Sequence, residues 1–532
     1  MYCQSFHPPK DGDHPDGAQS EAIEPRHSTL STGMSANIFV VAMPSSSVLA
    51  PLAYNASVDA LYRAYTWQLW CLGVVGFFYA LVQYLLAVPS DLRHLPKVSP
   101  YATIWSYAMR ESVDRRVKRL ILPFAERGEG AVLVYMLGKW GVHVLDASLV
   151  KTVCHNIDRF PKKNYQEHLH FTFLSGPNVV FSNGEMWKRH SASVKAAFDR
   201  EIPVHHFVTL SDELFRRIGK GGVYRFSELV QRYTLDVAGT ALLGYNFRAM
   251  QTQEDSFVDH FNRVMSKIAV PIRLILPFLD DWFPRHEVIR DVQALNSRYG
   301  ALLESKKQDL GLDLLTYLLE DSTMSTEELI SNFSILFSAG HDTTSGALST
   351  AVYHLAQHPE YQSKAREEVL AVLAGRDEPT YEDLGRLPFL NACIKEALRI
   401  NSPISLLPAR ITTEYVILGK YSIPAGVSLV PNVCAVHHTQ RNWTEPSRFD
   451  PYRFIDKSTR AIANIPFGTG PRQCVARQFS LYEQRTLLCM LLRQYEWHLP
   501  AGSPHADYVK NEFGAFGLSI PHDLDIEFTK RL

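Results

Sequence analysis

No two of the seven cysteines in this 532-residue chain (Cys3, Cys71, Cys154, Cys393, Cys434, Cys474 and Cys489) form a Cys-x-x-Cys pair. An odd, scattered set excludes a disulfide framework or a zinc cluster, and it suits a reducing compartment for the soluble bulk of the chain. Net charge is also lacking. The 54 Lys and Arg against 55 Asp and Glu leave −1, so there is no electrostatic footprint for a nucleic-acid partner. The chain has no glycine-rich dinucleotide fingerprint of its own, and no repeat or low-complexity block follows residue 66. What is present, 46% hydrophobic and 20% charged residues, describes a globular protein able to bury a sizeable core.

From Trp67 to Val88 the run WQLWCLGVVGFFYALVQYLLAV holds no charge over 22 residues, and a bilayer core needs about 20 apolar residues as helix. Residues 67–88 are therefore predicted to be a transmembrane anchor, with a buried core helix as the alternative. Upstream, residues 1–66 carry only Lys10, Arg26 and Arg63. Downstream, Arg93, Lys97, Arg110, Arg115, Arg116, Lys118 and Arg119 crowd residues 89–119. This asymmetry predicts a single-pass endoplasmic reticulum protein with its C-terminal body in the cytoplasm and a flexible lumenal tail over residues 1–66. Asn55, in an Asn-Ala-Ser sequon, is the candidate glycosylation site on that side.

PSDLRHLPKVSP (89–100) holds three prolines, which predicts a stiff, extended linker within residues 89–110. One continuous catalytic domain is expected over residues 111–532, mainly α with small β-sheets. Within it, VLVYMLGKWGVHVL (132–145) alternates about Gly-Lys-Trp-Gly as a hairpin. A capping box at Ser325 and Glu328 opens a proline-free run to Pro359, a helix of about 32 residues and about 48 Å. At its middle lies Ala-Gly-His-Asp-Thr-Thr (339–344), where Gly340 and the threonine hydroxyls should loosen the helix. This stretch is either a cap or bend between two helices, or a notch for a flat ligand beside an acid and a hydroxyl that can pass protons. A second helix, LNACIKEALR (390–399), places Glu396 and Arg399 on one face in an apolar setting.

FGTGPRQCVARQ (467–478) surrounds Cys474 with a tight glycine-rich backbone, Arg472, and the start of a further helix. The positive end of that helix favours thiolate, as for a nucleophile, a redox switch or a metal ligand; Arg472 adds a positive charge suited to a carboxylate, and Phe467 offers packing for a large apolar ligand.

Phe467-Gly468-x-Gly470-x-Arg472-x-Cys474-x-Ala476 resembles the haem-binding loop of the cytochrome P-450 family. Its other elements follow in the family's order: AGHDTT, Glu396-x-x-Arg399, Phe449-Asp450-Pro451-Tyr452-Arg453-Phe454, and Trp187 in GEMWKRH. The resemblance, which extends from about residue 67 to the C-terminus, implies the cytochrome P-450 fold behind one N-terminal transmembrane helix. It implies haem b, with Cys474 as the proximal ligand of the iron, pushing electron density toward the metal. Arg472, Arg410 and Trp187 would hold the propionates. Asp342 and Thr343 would be the acid–alcohol pair that delivers protons to dioxygen, with Ala339 and Gly340 leaving room for it. Glu396, Arg399 and Arg453 would form a buried structural network.

The implied activity is a monooxygenase acting on an apolar organic substrate, supplied with electrons from NADPH through a flavin-containing reductase. The general style resembles fungal microsomal enzymes of secondary metabolism. A haem-thiolate isomerase or dehydratase and a non-catalytic haem-binding membrane protein are the alternatives, against which Asp342 and Thr343 speak. By family position, Phe333, Phe337, 404–407 and 515–517 would line the pocket, and the proline-broken run 268–284 would form a membrane-dipping entrance or plain core. Two positions depart from the family pattern: Ala476 stands where glycine is usual, and Ser191 where arginine is common four residues after the tryptophan. Lys188 or His190 would then supply the missing propionate contact.

Overall fold

The computed structural model describes residues 49–164, 176–200, 202–251, 256–268, 270–311, 313–321, 323–455, 462–514 and 517–531, with the backbone alone over 49–59. They fall into two compact units, 2–87 and 88–532. Among the described residues the first is formed by one helix, α1 (Leu49–Leu85). Its stretch Ala60–Leu85 is long and apolar enough to cross a membrane, and none of its hydropathic core is buried. Trp70 and Phe77 stand exposed along it, which fits a single membrane anchor and not a core helix. Two expected boundaries shift. Residues 49–66 are helical where a flexible tail was expected, while residues 1–48 lie outside the described set. The helix also stops at Leu85, since Pro89 forbids its continuation and pushes the preceding residue out of the α region.

The expected extended linker is instead part of the second unit. Leu92, Leu95 and Val98 are buried. Val98 N–H donates to Leu133 O (2.8 Å), and Leu133 N–H donates to Pro96 O (2.8 Å). Pairing with a sheet edge satisfies backbone groups that a free spacer would leave to water. Two short helices follow, α2 (Pro100–Ala108) and α3 (Val113–Arg116), the latter running into a wider π-type turn over Val117–Ile121.

Strands β1 (Ala131–Met136) and β2 (Lys139–Val144) form the expected hairpin, but its two-residue turn is Leu137–Gly138, with φ of +53° and +71°. Two consecutive left-handed residues match the twist of the flanking strands. Lys139 and Trp140, expected in the turn, therefore belong to β2.

The elements that carry the site are α4 (Gly184–Phe198), α5 (Phe226–Val237), α6 (Pro271–Ile275), α7 (Thr326–Gln357), α8 (Pro388–Ile400), β3 (Arg410–Ile411), β4 (Ser428–Pro431) and α9 (Arg477–Gln494). The first sheet has the order β1-β2-β4-β3, with the β2–β4 pair parallel. A three-stranded antiparallel sheet of Gly221–Arg225, Asp525–Lys530 and Tyr495–His498 joins the C-terminus to the body.

Helix α7 starts at the expected capping box, with Ser325 Oγ accepting from Glu328 N–H and Glu328 accepting from Ser325 N–H. Its 32 residues run unbroken through AGHDTT, so the expected loosening is corrected. Burial on both sides holds this stretch helical, and the Thr343 hydroxyl adds a bond to the Ala339 carbonyl (2.8 Å) without displacing the backbone.

In α8, Glu396 and Arg399 have no exposed surface and pair through two bonds, 2.7 and 2.8 Å. Arg453 (3.2 Å) and Asp450 N–H (3.1 Å) donate to the same carboxylate, and Arg399 donates to His437 O (2.9 Å). A buried ion pair is stable only when its remaining polar valences are met, and here they are. The Glu445–Arg448 pair, with the same sequence spacing, lies on the surface.

Candidate active site

The loop before α9 folds back on itself: Cys474 N–H donates to Phe467 O (3.0 Å) and Gln473 N–H to Gly470 O (3.0 Å). Gly470 is obligatory. Its φ is +79°, and a Cβ there would stand 2.8 Å from Cys154 O. Ala476, by contrast, adopts φ −86° and ψ 14°, open to any L-residue, so alanine in place of glycine leaves the backbone unstrained. Phe467 packs against the core that holds α8 and α9.

The Cys474 sulfur is accessible, yet it sits in a recess where burial pushes its thiol up. The Ala476 amide, Arg477 and Lys162 act the other way. The expectation that the helix dipole alone favours thiolate is therefore corrected: desolvation is the larger effect, and a metal cation is what would deprotonate this sulfur.

Three cations share one wall near it. Arg472 donates to the carbonyls of Val180 and Ser182 (both 2.9 Å) and lies 4.5 Å from the centre of the Trp187 ring on α4. Arg410, on β3, is buried and donates to Phe160 O (3.3 Å). Lys162 pairs with Arg410 across a β-bridge, and Asn183 clamps its backbone by bonding both its N–H and its C=O (2.9 Å each). Asn183 Oδ1 also accepts from Arg472 (3.5 Å).

None of the three cations pairs with a carboxylate among the described residues. Burial and the neighbouring Arg410 bring Arg472 down to about 9; burial, Arg472 and Arg410 hold Lys162 well below the usual lysine range. Lys162 escapes sequence reasoning, because the Pro161-Lys162-Lys163 run looks like solvated surface and only the bridge to Arg410 turns it inward. Lys188 and His190, the expected substitutes for Ser191, are engaged elsewhere. Lys188 pairs with Glu185 on the surface (2.6 Å), while His190 is buried against Glu328 (3.3 Å) and Asn332 (3.2 Å).

On α7, Ala339 and Thr343 are one turn apart and line a cavity of about 250 Å³ together with Asp342, Ile335 and Ser338. Gly340 is turned aside: a Cβ there would meet Leu242 at 3.2 Å, so its smallness serves helix packing. Phe333 and Phe337, expected in the pocket, are buried with Tyr299, Phe257 and Phe261 in an edge-to-face aromatic core. Ile335 and Ser338 take the cavity-facing positions, because a 100° step per residue carries them to another face. Ile404, Leu406, Leu407 and Gly517 line the cavity as expected; Ser405 instead bonds Ser519 (2.7 Å), and residues 515 and 516 lie outside the described set.

Asp342 is buried, accepting from Gln231 Nε2 (3.2 Å) with His341 Nε2 at 3.3 Å. His341 Nδ1 lies 2.9 Å from Phe337 O. A carbonyl only accepts, so Nδ1 carries a hydrogen, while Nε2 is buried with no hydrogen-bond partner among the described residues.

The comparisons with known proteins bear on the family and the fold. The family model described as Cytochrome P450 matches residues 96–523. Cytochrome P450 4F2 of Homo sapiens is 34% identical over 366 residues, which is 61% of this chain and 70% of the human one. Leukotriene-B4 omega-hydroxylase 3 of Mus musculus is 27% identical over 363 residues, 60% of this chain and 68% of its own. The crystal structure of the cytochrome P450DA heme domain is similar with a TM-score of 0.72 at 23% identity, covering 82% of this chain and 98% of that one, a likeness of fold. Because the family match runs from the sheet edge at residue 96 through the long helix and the cysteine loop, the chain belongs to the cytochrome P450 family, the haem-dependent monooxygenases.

Proposed function

We propose that Cys474 is the iron ligand, that Arg472, Arg410 and Lys162 hold the propionates beside Trp187, and that the cavity below Ala339 and Thr343 is where an apolar substrate is oxidised. The observation that carries this reading is the wall of three cations, Lys162 and Arg410 buried and Arg472 half-buried, that meets no carboxylate among the described residues. Like charges gathered out of water are unfavourable alone, and a flat ligand bearing two carboxylates fits them. When bound, haem supplies the activation of O₂, so that one oxygen atom enters the substrate and the other leaves as water.

The chain's own residues supply orientation and protons. Helix α7 presents Thr343 Oγ1 at the cavity wall, held against Ala339 O. Asp342 stands one residue away as the carboxylate that passes a proton on, and Gln231 fixes it. Thr343→Ala is expected to retain haem and substrate binding while NADPH consumption exceeds product and hydrogen peroxide appears. Unchanged coupling would count against the relay.

Lys162 takes the place left by Ser191. Lys162→Ala is expected to speed haem transfer to apomyoglobin about tenfold, the loss of one charged hydrogen bond. Adding Ser191→Arg, one turn along α4 from Trp187, should slow the transfer again. A release rate unmoved by Lys162→Ala removes that residue from the cradle.

Electrons from NADPH through a separate flavoprotein reductase, residence in the endoplasmic reticulum membrane with the body in the cytoplasm, and a place in fungal secondary metabolism complete the reading. Membrane access is supported by α2 and α6. These helices pack together, line the cavity through Tyr107 and Leu274, and leave Trp105, Met109 and Ile272 exposed, with Trp282 and Phe283 exposed farther along the chain. One relative is named an omega-hydroxylase, which favours attack at the end of an elongated apolar substrate.

A further inference from the structure

Asp342 is held by groups ill suited to reload it with a proton. Gln231 on α5, which donates to its Oδ1 (3.2 Å), is an amide, and His341 is 1% exposed with Nδ1 turned to the Phe337 carbonyl. A carboxylate that gives up a proton in each turnover must be reloaded from water.

The C-terminal segment offers a route. Residues 510–512 and 520–522 form a short antiparallel pair in which Asn511 stands opposite Pro521, Glu512 N–H donates to Ile520 O (3.1 Å) and His522 N–H donates to Lys510 O (3.0 Å). Alternation along each strand puts Lys510, Glu512, Ile520 and His522 on one face. That face lies against α7. A Cβ on Gly346 would stand 3.3 Å from Ile520 Cγ1, and Gly346 is one turn beyond Asp342 on the same side of the helix. Beyond the pair, Gly514, Gly517 and Leu518 line the cavity together with Asp342. Asn401, just past α8, pins the pair to α7 by donating to Thr350 Oγ1 (2.9 Å) and Asn511 Oδ1 (3.1 Å), and Ser519 N–H donates to Pro403 O (2.9 Å).

Glu512 therefore sits between solvent and the Asp342 side of α7. On its outer side His522 Nδ1 lies at 3.8 Å, on an imidazole 55% exposed, while the Glu512 side chain is 24% exposed. His522 also faces Asp523 (2.8 Å), whose carboxylate pairs with Arg225, and Lys510 is exposed. Burial raises the Glu512 carboxyl above its ordinary value; Asp342 and Asp523 add to the rise, and His522 acts the other way. A raised carboxyl keeps its proton to higher pH than a free one, as a donor must.

We propose that Glu512 is the proton-supply residue of the site, taking up a proton from water at the His522 end and passing it to Asp342. This rests on the reading of Asp342 and Thr343 as the relay. The proton leaves the Glu512 carboxyl for the Asp342 carboxylate, and the Glu512 carboxylate left behind is reprotonated through His522. No electron moves in either step.

The test uses the haem-loaded full chain and Glu512→Gln, which keeps the size of the side chain and removes the acid. Infrared difference spectra against pH, taken without substrate or turnover, should show a protonated carboxyl band that persists above the ordinary carboxylate range and is missing from Glu512→Gln. Asp342→Asn should move that titration to lower pH, because it removes a neighbouring negative charge. With NADPH and a flavoprotein reductase, Glu512→Gln should consume oxygen at least about tenfold more slowly, with a larger solvent deuterium isotope effect, and Glu512→Asp should recover part of the rate. A Glu512 band that titrates in the ordinary carboxylate range, or one unmoved by Asp342→Asn, overturns the proposal. Peroxide release by Thr343→Ala with an unchanged rate and isotope effect in Glu512→Gln overturns the supply route alone. A Thr343→Ala variant that releases no peroxide overturns the relay instead, while the infrared titration still reads whether the two carboxyls are coupled.

Discussion

Replacing Cys474 by serine is expected to abolish both the thiolate-type Soret band of the reduced, carbon-monoxide-treated protein and all oxygenation. A hydroxyl in that recess has the same backbone support but lacks the polarisable, electron-donating sulfur that makes the iron reactive toward oxygen. The fold itself should survive, because the loop is held by Gly470 against Cys154 and by backbone bonds that do not use the sulfur. Cys489→Ala is the control. That thiol is fully buried in the core of α9, where burial pushes it up to about 12, and its loss removes one small apolar group and no ligand. Persistence of the thiolate band in Cys474→Ser, or its loss in Cys489→Ala, would overturn the assignment of the ligand.

Glu396→Ala should be the most destabilising single change away from the site. The carboxylate is the common partner of Arg399, Arg453 and the Asp450 amide, and neither Glu396 nor Arg399 has any exposed surface. Removing it leaves a guanidinium charge in the core, at about 3–5 kcal/mol, against a total stability for ordinary domains of about 5–15 kcal/mol. The measurable outcome is a lower thermal midpoint and a smaller haem-loaded fraction, with the surviving fraction showing an unaltered Soret band. Glu445→Ala, which breaks a surface pair of the same Glu-x-x-Arg spacing, should leave the midpoint nearly unchanged. Comparable effects from the two substitutions would show that the buried network is not a scaffold.

These two expectations start from motifs visible in the chain. The Cys474 loop and Glu396-x-x-Arg399 were legible because each is a short segment whose residue types impose their own chemistry. The hairpin and the Ser325 capping box were legible for the same reason, being interactions between residues a few positions apart. Local propensity misled where burial outweighed it. AGHDTT stays helical because α7 is packed along its length, and residues 89–100 join a sheet edge despite three prolines; family position misled for Phe333 and Phe337, which turn into an aromatic core.

The sequence by itself determined the apolar span, the mainly helical body, the cysteine loop and the order of motifs that marks the family, since all are properties of neighbouring residues. Only the tertiary structure decided that Lys162, Arg410 and Arg472 meet, that Lys188 and His190 are taken by other partners, and that the strand pair bearing Glu512 lies against the side of α7 that carries Asp342. The reason is physical: a charge is indifferent among many positions while water surrounds it. Its role is set when packing removes that water and chooses which groups, hundreds of residues apart in the chain, remain to answer it.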